Sequence, residues 1–154
     1  MKQVIWKIKT FEQLSTKELY QILKIRQEVF IVEQTCYYLD ADDADQVALH
    51  IWAEFEGKIA AYCRIFDAAI KYSESSIGRV LTHPKFRNLK LGKTLMKIAL
   101  SSIHGRFGDV AVRISAQDYL LKFYEDFGFV NTGKHYLEDE IPHTEMLKRN
   151  KVFR

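Results

Sequence analysis

Between Val80 and Met96 the chain sets a strand-like run through Thr82, then Arg87-Asn88-Leu89-Lys90-Leu91-Gly92-Lys93, then an apolar-periodic segment that predicts a helix. Such a turn offers free backbone N–H groups. The first turn of a helix leaves about four amides unpaired and carries the positive end of the helix dipole. A phosphate placed there would be held by main chain as well as by Arg87 and the neighbouring lysines. Gly92, lacking a Cβ, lets the main chain approach a bulky pyrophosphate closely. Charge agrees with this reading: from Pro84 to Arg106 no acidic residue occurs, while Lys85, Arg87, Lys90, Lys93, Lys97 and Arg106 all fall there. Asp40, Asp42, Asp43 and Asp45 crowd a separate short stretch that could meet a cation or form a solvated face.

Two other phosphate chemistries fit less well. Gly92-Lys93-Thr94 could end a P-loop, but Arg87 stands where that loop needs its first glycine. A nucleic-acid module would use the same cations, yet the aromatics fall mostly in core-like strands and leave no interleaved stacking surface.

The elements that position this turn follow from periodicity. Val4, Ile5, Trp6, Ile8 and Phe11 suggest a first strand, and Ser15 with Glu18 forms a capping box before a helix carrying Leu19, Ile22, Leu23 and Ile25. Val47 to Phe55 and Lys58 to Phe66 read as a hairpin turning at Glu56-Gly57. Ser76 to Thr82 is a further strand, closed by Pro84 before a helix from about Asn88 to His104. Gly105 and Gly108 bracket the return to a strand at Val110 to Ser115. A short helix to about Phe127, capped by Gly128, and two last strands around Phe129 and Met146 complete the chain. The order β-α-β-β-β-α-β-α-β-β implies a mixed α/β sheet with helices on both faces.

Length and composition bound the answer. A chain of 154 residues fits one domain over 1–154, with 47% hydrophobic and 28% charged residues in the ordinary globular range. No apolar run approaches the roughly 20 residues of a membrane span, so no membrane partner is expected. Cys36 and Cys63 form no CxxC pair and no leader-like segment opens the chain, which sets a cytoplasmic location as the expectation. His50, His135, His143, Cys36 and Cys63 show no paired spacing of zinc ligands, so no metal is expected.

The turn resembles the signature of the GNAT acetyltransferases, [QR]-x-x-G-x-[GA], here Arg87-Asn88-Leu89-Lys90-Leu91-Gly92 with Lys90 in place of the first glycine. Further motifs are similar to the ElaA-like branch of that family. They are Arg26-x-x-Val29-Phe30-x-Val32-Glu33-Gln34, Cys36-x-Tyr38-x-Asp40-x-Asp42, His50, Ala61-Tyr62-x-Arg64-Ile65, Ile77-Gly78-Arg79-Val80 and Ile141-Pro142-His143. Tyr37 stands where that branch often has proline. The resemblance implies a mostly antiparallel central sheet with a splayed central strand pair, Ile77 to Thr82 and Val110 to Ser115, that takes the pantetheine arm of acetyl-CoA. It implies that Val80, Leu81, Thr82 and the turn from Arg87 through Asn88, Leu89, Lys90, Leu91, Gly92 and Lys93 bind this cosubstrate. A backbone amide near Leu81, at a strand bulge, would donate to the thioester carbonyl, a contact worth about 3 kcal/mol.

For residue roles, Tyr124 in Phe123-Tyr124-x-x-Phe127-Gly128-Phe129 matches the family tyrosine that protonates the departing sulfur. An amine with a lysine-like pKa is only about one part in a thousand neutral at pH 7, so a base or water relay is needed. Glu33, His50 and His143 are the candidates, each lying in a matched motif, and each is open to a purely structural role. The implied activity is acetyl transfer to a primary amine of a small molecule or peptide. The acidic loop Asp40 to Asp45, with Glu138, Asp139 and Glu140, suggests a cationic acceptor. A noncatalytic acyl-CoA sensor and a relative of the acyl-homoserine lactone synthases are the other readings. Whether the chain forms a homodimer is left open by these residues.

Overall fold

The computed structural model describes residues 2–150. Seven strands build one sheet: β1 (Ile5–Thr10), β2 (Leu49–Phe55), β3 (Lys58–Phe66), β4 (Ser75–Thr82), β5 (Val112–Gln117), β6 (Val130–Glu138) and β7 (Ile141–Lys148). Three helices join them: α1 (Thr16–Arg26), α2 (Gly92–Phe107) and α3 (Leu121–Glu125). The spatial order is β1-β2-β3-β4-β5-β7-β6, and every neighbouring pair is antiparallel except β4 with β5. This is the mixed sheet and the element order expected from the sequence.

Helices cover both faces because the strands of the centre are apolar on both sides. Ile22 and Ile25 of α1 and the following Val29 bury against Trp52, Ile59, Tyr62 and Leu81. On the other face Leu95, Met96, Ala99 and Ile103 of α2 and Tyr124 of α3 pack on Ile51, Ala53, Cys63 and Ile65. The α1 start is the capping box read from the sequence: Ser15 Oγ accepts from the Glu18 amide at 3.0 Å, and Glu18 Oε1 accepts from the Ser15 amide at 2.9 Å. At the β2–β3 hairpin, Glu56 and Gly57 both take positive φ, 52° and 73°, as a two-residue turn of primed type requires.

Four boundaries differ from expectation. Beyond Arg26 the chain winds as a π-helix over Gln27–Glu33, a wider turn that periodicity does not signal. Ala44–Val47 is a 3-10 turn and β2 starts only at Leu49, because Asp45 is drawn inward by two arginines. The segment from Asn88 to Leu91 is not α-helical: Pro84 opens a 3-10 turn over Pro84–Leu89, Lys90 turns left-handed at φ 54° and ψ 46°, and α2 begins at Gly92. Helix α2 then continues through Gly105 to Phe107 and ends at Gly108, φ 89°, which moves β5 to Val112.

The sheet opens at its centre. β4 and β5 pair only at Ser75↔Val112 and Ser76↔Arg113, after which they diverge. The edges of β4 from Ile77 and of β5 from Ile114 that face each other therefore carry no ladder between them.

Candidate active site

The divergence of β4 and β5 forms a cleft of about 1040 Å³, at the large end of small-molecule sites. Gly78 to Thr82 of β4 and the π-turn residues Val29, Phe30 and Glu33 line one side. Ile114, Ser115 and Gln117 of β5 line the other, together with Phe123 and Tyr124 of α3 and Glu138, Asp139 and His143 of the β6–β7 hairpin. The two sides are tied across the opening. The side-chain amides of Gln34 and Gln117 exchange hydrogen bonds at 3.3 Å, and the Cys36 thiol donates to the Asp139 carbonyl at 3.1 Å.

At one end the start of α2 meets the cleft. Leu91, the residue before its first turn, supplies no side-chain cap, and the first turn holds no acidic group. Its leading amides are thus left for an outside acceptor. Gly92 lines the cleft, and a Cβ there would lie 3.5 Å from the Phe123 ring, an ordinary contact. The protein itself would accept a methyl group at this position. Val80, Leu81, Thr82, Arg87, Lys90 and Gly92 line the cleft among the residues named for the cosubstrate. Leu89 and Leu91 instead pack into the core against α2 and β-sheet residues, and the side chains of Asn88 and Lys93 are exposed. Lys90 adopts the left-handed conformation for which the family pattern has glycine, so the loop keeps its path without one. Arg106 lies apart, beside a separate cavity near β2.

Arg87 has its own partner. Its two terminal nitrogens donate to the two carboxylate oxygens of Glu33 at 2.8 and 2.7 Å, a bidentate pair joining the π-turn to the β4–α2 turn. The hydrogen bond from Arg87 holds the Glu33 carboxyl below its usual range, and the same bond raises Arg87. Such a carboxylate is a weakened proton acceptor.

Tyr124 is 5% exposed and lines the cleft. Burial pushes its hydroxyl well above the ordinary phenol range, so it stays protonated. The two candidate histidines differ in surroundings. His50 is fully buried, its ring beside those of Phe11 and Tyr62, and does not line the cleft. Its Nε2 is 2.9 Å from the Asp45 carbonyl and its Nδ1 2.7 Å from the Tyr62 hydroxyl. A carbonyl only accepts, so Nε2 carries the proton and Nδ1 accepts from Tyr62, leaving no ring nitrogen free. Burial lowers its pKa. With both ring nitrogens engaged and the ring away from the cleft, the geometry favours the structural role left open for His50 over that of a base. His143 stands at the cleft with Nδ1 2.7 Å from the Ile141 carbonyl. That bond puts a proton on Nδ1, and Nε2 faces the Glu138 carboxylate at 3.3 Å, an acceptor that pairs with this nitrogen once it carries a proton.

The acidic loop also differs from expectation. Asp40 pairs with Arg26 and Arg79, Asp42 with Arg64 and Lys71, and Asp45 with Arg26 and Arg64. These carboxylates are neutralised by buried or half-buried arginines, with the exposed Lys71 added at Asp42, and are not free to attract an acceptor. Of the acidic groups named for that role, Glu138, Asp139 and the cation-paired Asp42 line the cleft. Gln34 and Arg79 lie within the matched motifs but carry no role there, and Gln117 is marked by no periodicity, charge run or motif; the folded cleft brings the three together. Among the described residues no group of three or more His, Cys, Asp or Glu is placed to hold a metal ion, and no helix is long and apolar enough to cross a membrane.

A splayed parallel pair beside a helix start is the frame of an acyltransferase, and the sequence relationships agree. Residues 9–150 match the acetyltransferase (GNAT) domain model, and the chain belongs to that family. It is 34% identical to protein ElaA of Escherichia coli over 145 residues, 93% of this chain and 95% of that one. The crystal structure of Escherichia coli ElaA superposes with a TM-score of 0.89 at 33% identity, covering 96% of this chain and all of that chain. An acyl-CoA N-acyltransferase from Pseudomonas aeruginosa superposes with a TM-score of 0.88 at 38% identity, covering 94% and 99%. Within the family the chain stands in the ElaA-like branch.

Proposed function

We propose that the protein transfers an acetyl group from acetyl-CoA to a primary amine by direct attack within the β4–β5 cleft. The observation that carries the reading is the position of Tyr124. Its buried, protonated hydroxyl lines the same cleft as the open edge of β4 and the uncapped start of α2. Acetyl-CoA would supply an activated thioester carbonyl. The features of the cleft suit it: α2 amides with Arg87 and Lys90 for the pyrophosphate, and strand amides at Val80 to Thr82 for the pantetheine arm.

The residues then divide the work. A backbone amide near Leu81, beside the β4 bulge, donates to the carbonyl oxygen as negative charge develops. His143 Nε2 takes the proton of the attacking amine, directly or through water, and the imidazolium formed is balanced by Glu138 at 3.3 Å. As the N–C bond forms and the C–S bond breaks, Tyr124 gives its proton to the sulfur. Glu138 and Asp139, lining the cleft, favour a cationic acceptor, a small molecule or a peptide side chain. The reading sets the enzyme in the cytoplasm, where free thiols such as Cys36 and Cys63 stay reduced.

Kinetics on Tyr124→Phe test this assignment. The expected result is a fall in kcat of about 100-fold or more with acetyl-CoA affinity unchanged. A wild type that binds acetyl-CoA but turns over none of a broad amine panel would instead be a sensor.

A further inference from the structure

We infer that Arg79 is a positioning residue for acyl transfer: its guanidinium, tied to Asp40, holds the β4 bulge against the cleft. This rests on the acyltransferase reading above.

The bulge is defined by register. Tyr62 pairs with Leu81 and Arg64 with Gly78, so Arg79 and Val80 stand opposite Cys63 alone. Arg79 takes φ 52°, in the left-handed region that a residue with a long side chain seldom enters. Gly78 beside it, with open space where a Cβ would stand, does not take positive φ. The unusual conformation thus falls on the arginine although a glycine is adjacent, which directs attention to what the arginine side chain does.

That side chain is fixed on a rigid anchor. Its Nε donates to Asp40 Oδ1 at 2.8 Å and one terminal nitrogen donates to the Asp40 carbonyl at 3.0 Å. The same nitrogen reaches Asp42 Oδ2 at 3.5 Å, and the guanidinium lies 5.5 Å over the Tyr38 ring. Asp40 is itself 5% exposed and is held by Arg26, through Nε to Oδ2 at 2.9 Å and through a terminal nitrogen to the carbonyl at 3.0 Å. Arg26, fully buried at the end of α1, also grips Asp45, which takes Arg64 of β3 at 2.8 Å. The anchor therefore reaches the helix on one side and the sheet on the other.

The consequence concerns placement rather than bulk stability. Gly78 to Thr82 line the cleft, so any movement of the bulge moves the amides there. Leu81, buried under α1, keeps the strand from slipping by a full residue, since a slip would turn it to the opposite face. Without the tie the bulge is expected to loosen while the fold remains. Misplacement of reacting groups by about 1 Å can cost about 100-fold in rate.

The test compares Arg79→Gln and Arg79→Lys with the wild type in kcat, in KM for acetyl-CoA and for the amine, and in thermal melting. The expected result for Arg79→Gln is a kcat lowered about 10- to 100-fold with both KM values within about threefold of wild type. Arg79→Lys, which keeps the charge but not the planar fork, should recover part of the loss. An unchanged kcat in folded Arg79→Gln overturns the inference. So does a raised KM at unchanged kcat, which would make Arg79 a direct binding group. Should Arg79→Gln fail to fold, Arg79→Lys decides by the same criteria. A wild type without turnover sinks the acyltransferase reading itself. In that case the backbone amide resonances of Val80 and Leu81 still judge the tie: displaced in the variants they support it, unmoved they overturn it.

Discussion

The carboxylate of Glu33 grips both terminal nitrogens of Arg87, at 2.8 and 2.7 Å, and so closes the end of the π-turn onto the loop that precedes α2. A residue expected to move a proton and a residue expected to hold a phosphate thus occupy each other. Hydrogen bonding from Arg87 lowers the Glu33 pKa, which opposes a role as base and leaves His143 the better placed acceptor. The pair is also partly exposed, so it contributes little to stability, about 0–1 kcal/mol.

Replacing Glu33 by Gln should therefore free Arg87 without loss of fold. The expected outcome is acetyl-CoA affinity equal to or tighter than wild type and kcat within about threefold, read by calorimetry and steady-state kinetics. A fall in kcat of about 100-fold at unchanged affinity would restore Glu33 as the base.

The two histidines should separate cleanly. His143→Asn is expected to lower kcat/KM about 100-fold, because the cleft-facing Nε2 is lost, with only a small fall in melting from the lost stacking on Tyr136. His50→Gln should keep its kcat but lose about 1–3 kcal/mol of stability, since it disturbs buried bonds to Tyr62 and Asp45. The sign of the pH effect follows from burial, which depresses the folded-state pKa of His50. Its contribution is present above about pH 6.5 and is lost as pH falls from there toward the lower folded value, because the unfolded chain takes the proton first. The His50→Gln protein should show a weaker loss of stability in that window, measured by denaturant melts across pH.

Much of this arrangement was legible in the chain. The capping box at Ser15 and Glu18, the Glu56-Gly57 turn and the strand Lys58–Phe66 were readable because local chemistry alone decides them. The basic turn and Tyr124 were readable through motif spacing, and the structure brings Arg87, Lys90, Gly92 and Tyr124 to one cleft. The partners were not. Whether Asp45 is solvated or buried between Arg26 and Arg64 depends on residues 19 positions away in each direction, which no local pattern encodes. The π-winding after Arg26 and the left-handed Lys90 likewise arise from tertiary packing overriding local propensity.

Asp45 gives a third prediction. It accepts from Arg26 at 2.6 Å and from Arg64 at 2.8 Å, so Asp45→Asn leaves two buried guanidinium groups short of a counter-charge. The expected cost is about 3–5 kcal/mol, about 10 °C or more in Tm. Burial alone would raise the Asp45 carboxyl, but the bonds and charges of Arg26 and Arg64 outweigh it and hold it low. Its stabilisation is present above about pH 4 and lost as pH falls through the depressed folded value. Acid melts should show Asp45→Asn with a flatter dependence below pH 4.

Lys90 is the simplest case of strain. Its left-handed conformation favours glycine, so Lys90→Gly should raise stability by up to about 1 kcal/mol, offset in part by the entropy of the unfolded glycine. Thermal melting checks this, while the KM for acetyl-CoA should rise because a cation beside the pyrophosphate is lost.

The central claim, that the β4–β5 cleft holds acetyl-CoA with its pyrophosphate on the start of α2, is tested most directly by calorimetry with acetyl-CoA and, as comparison, ATP. Gly92→Asp is the paired variant: a Cβ there meets only ordinary contacts, and an acidic side chain suits a helix start, but its charge opposes a phosphate. The prediction is selective binding of acetyl-CoA by the wild type, weakened about 10-fold or more in Gly92→Asp. Binding of ATP in preference, binding of neither, or an affinity for acetyl-CoA that Gly92→Asp leaves unchanged would contradict it.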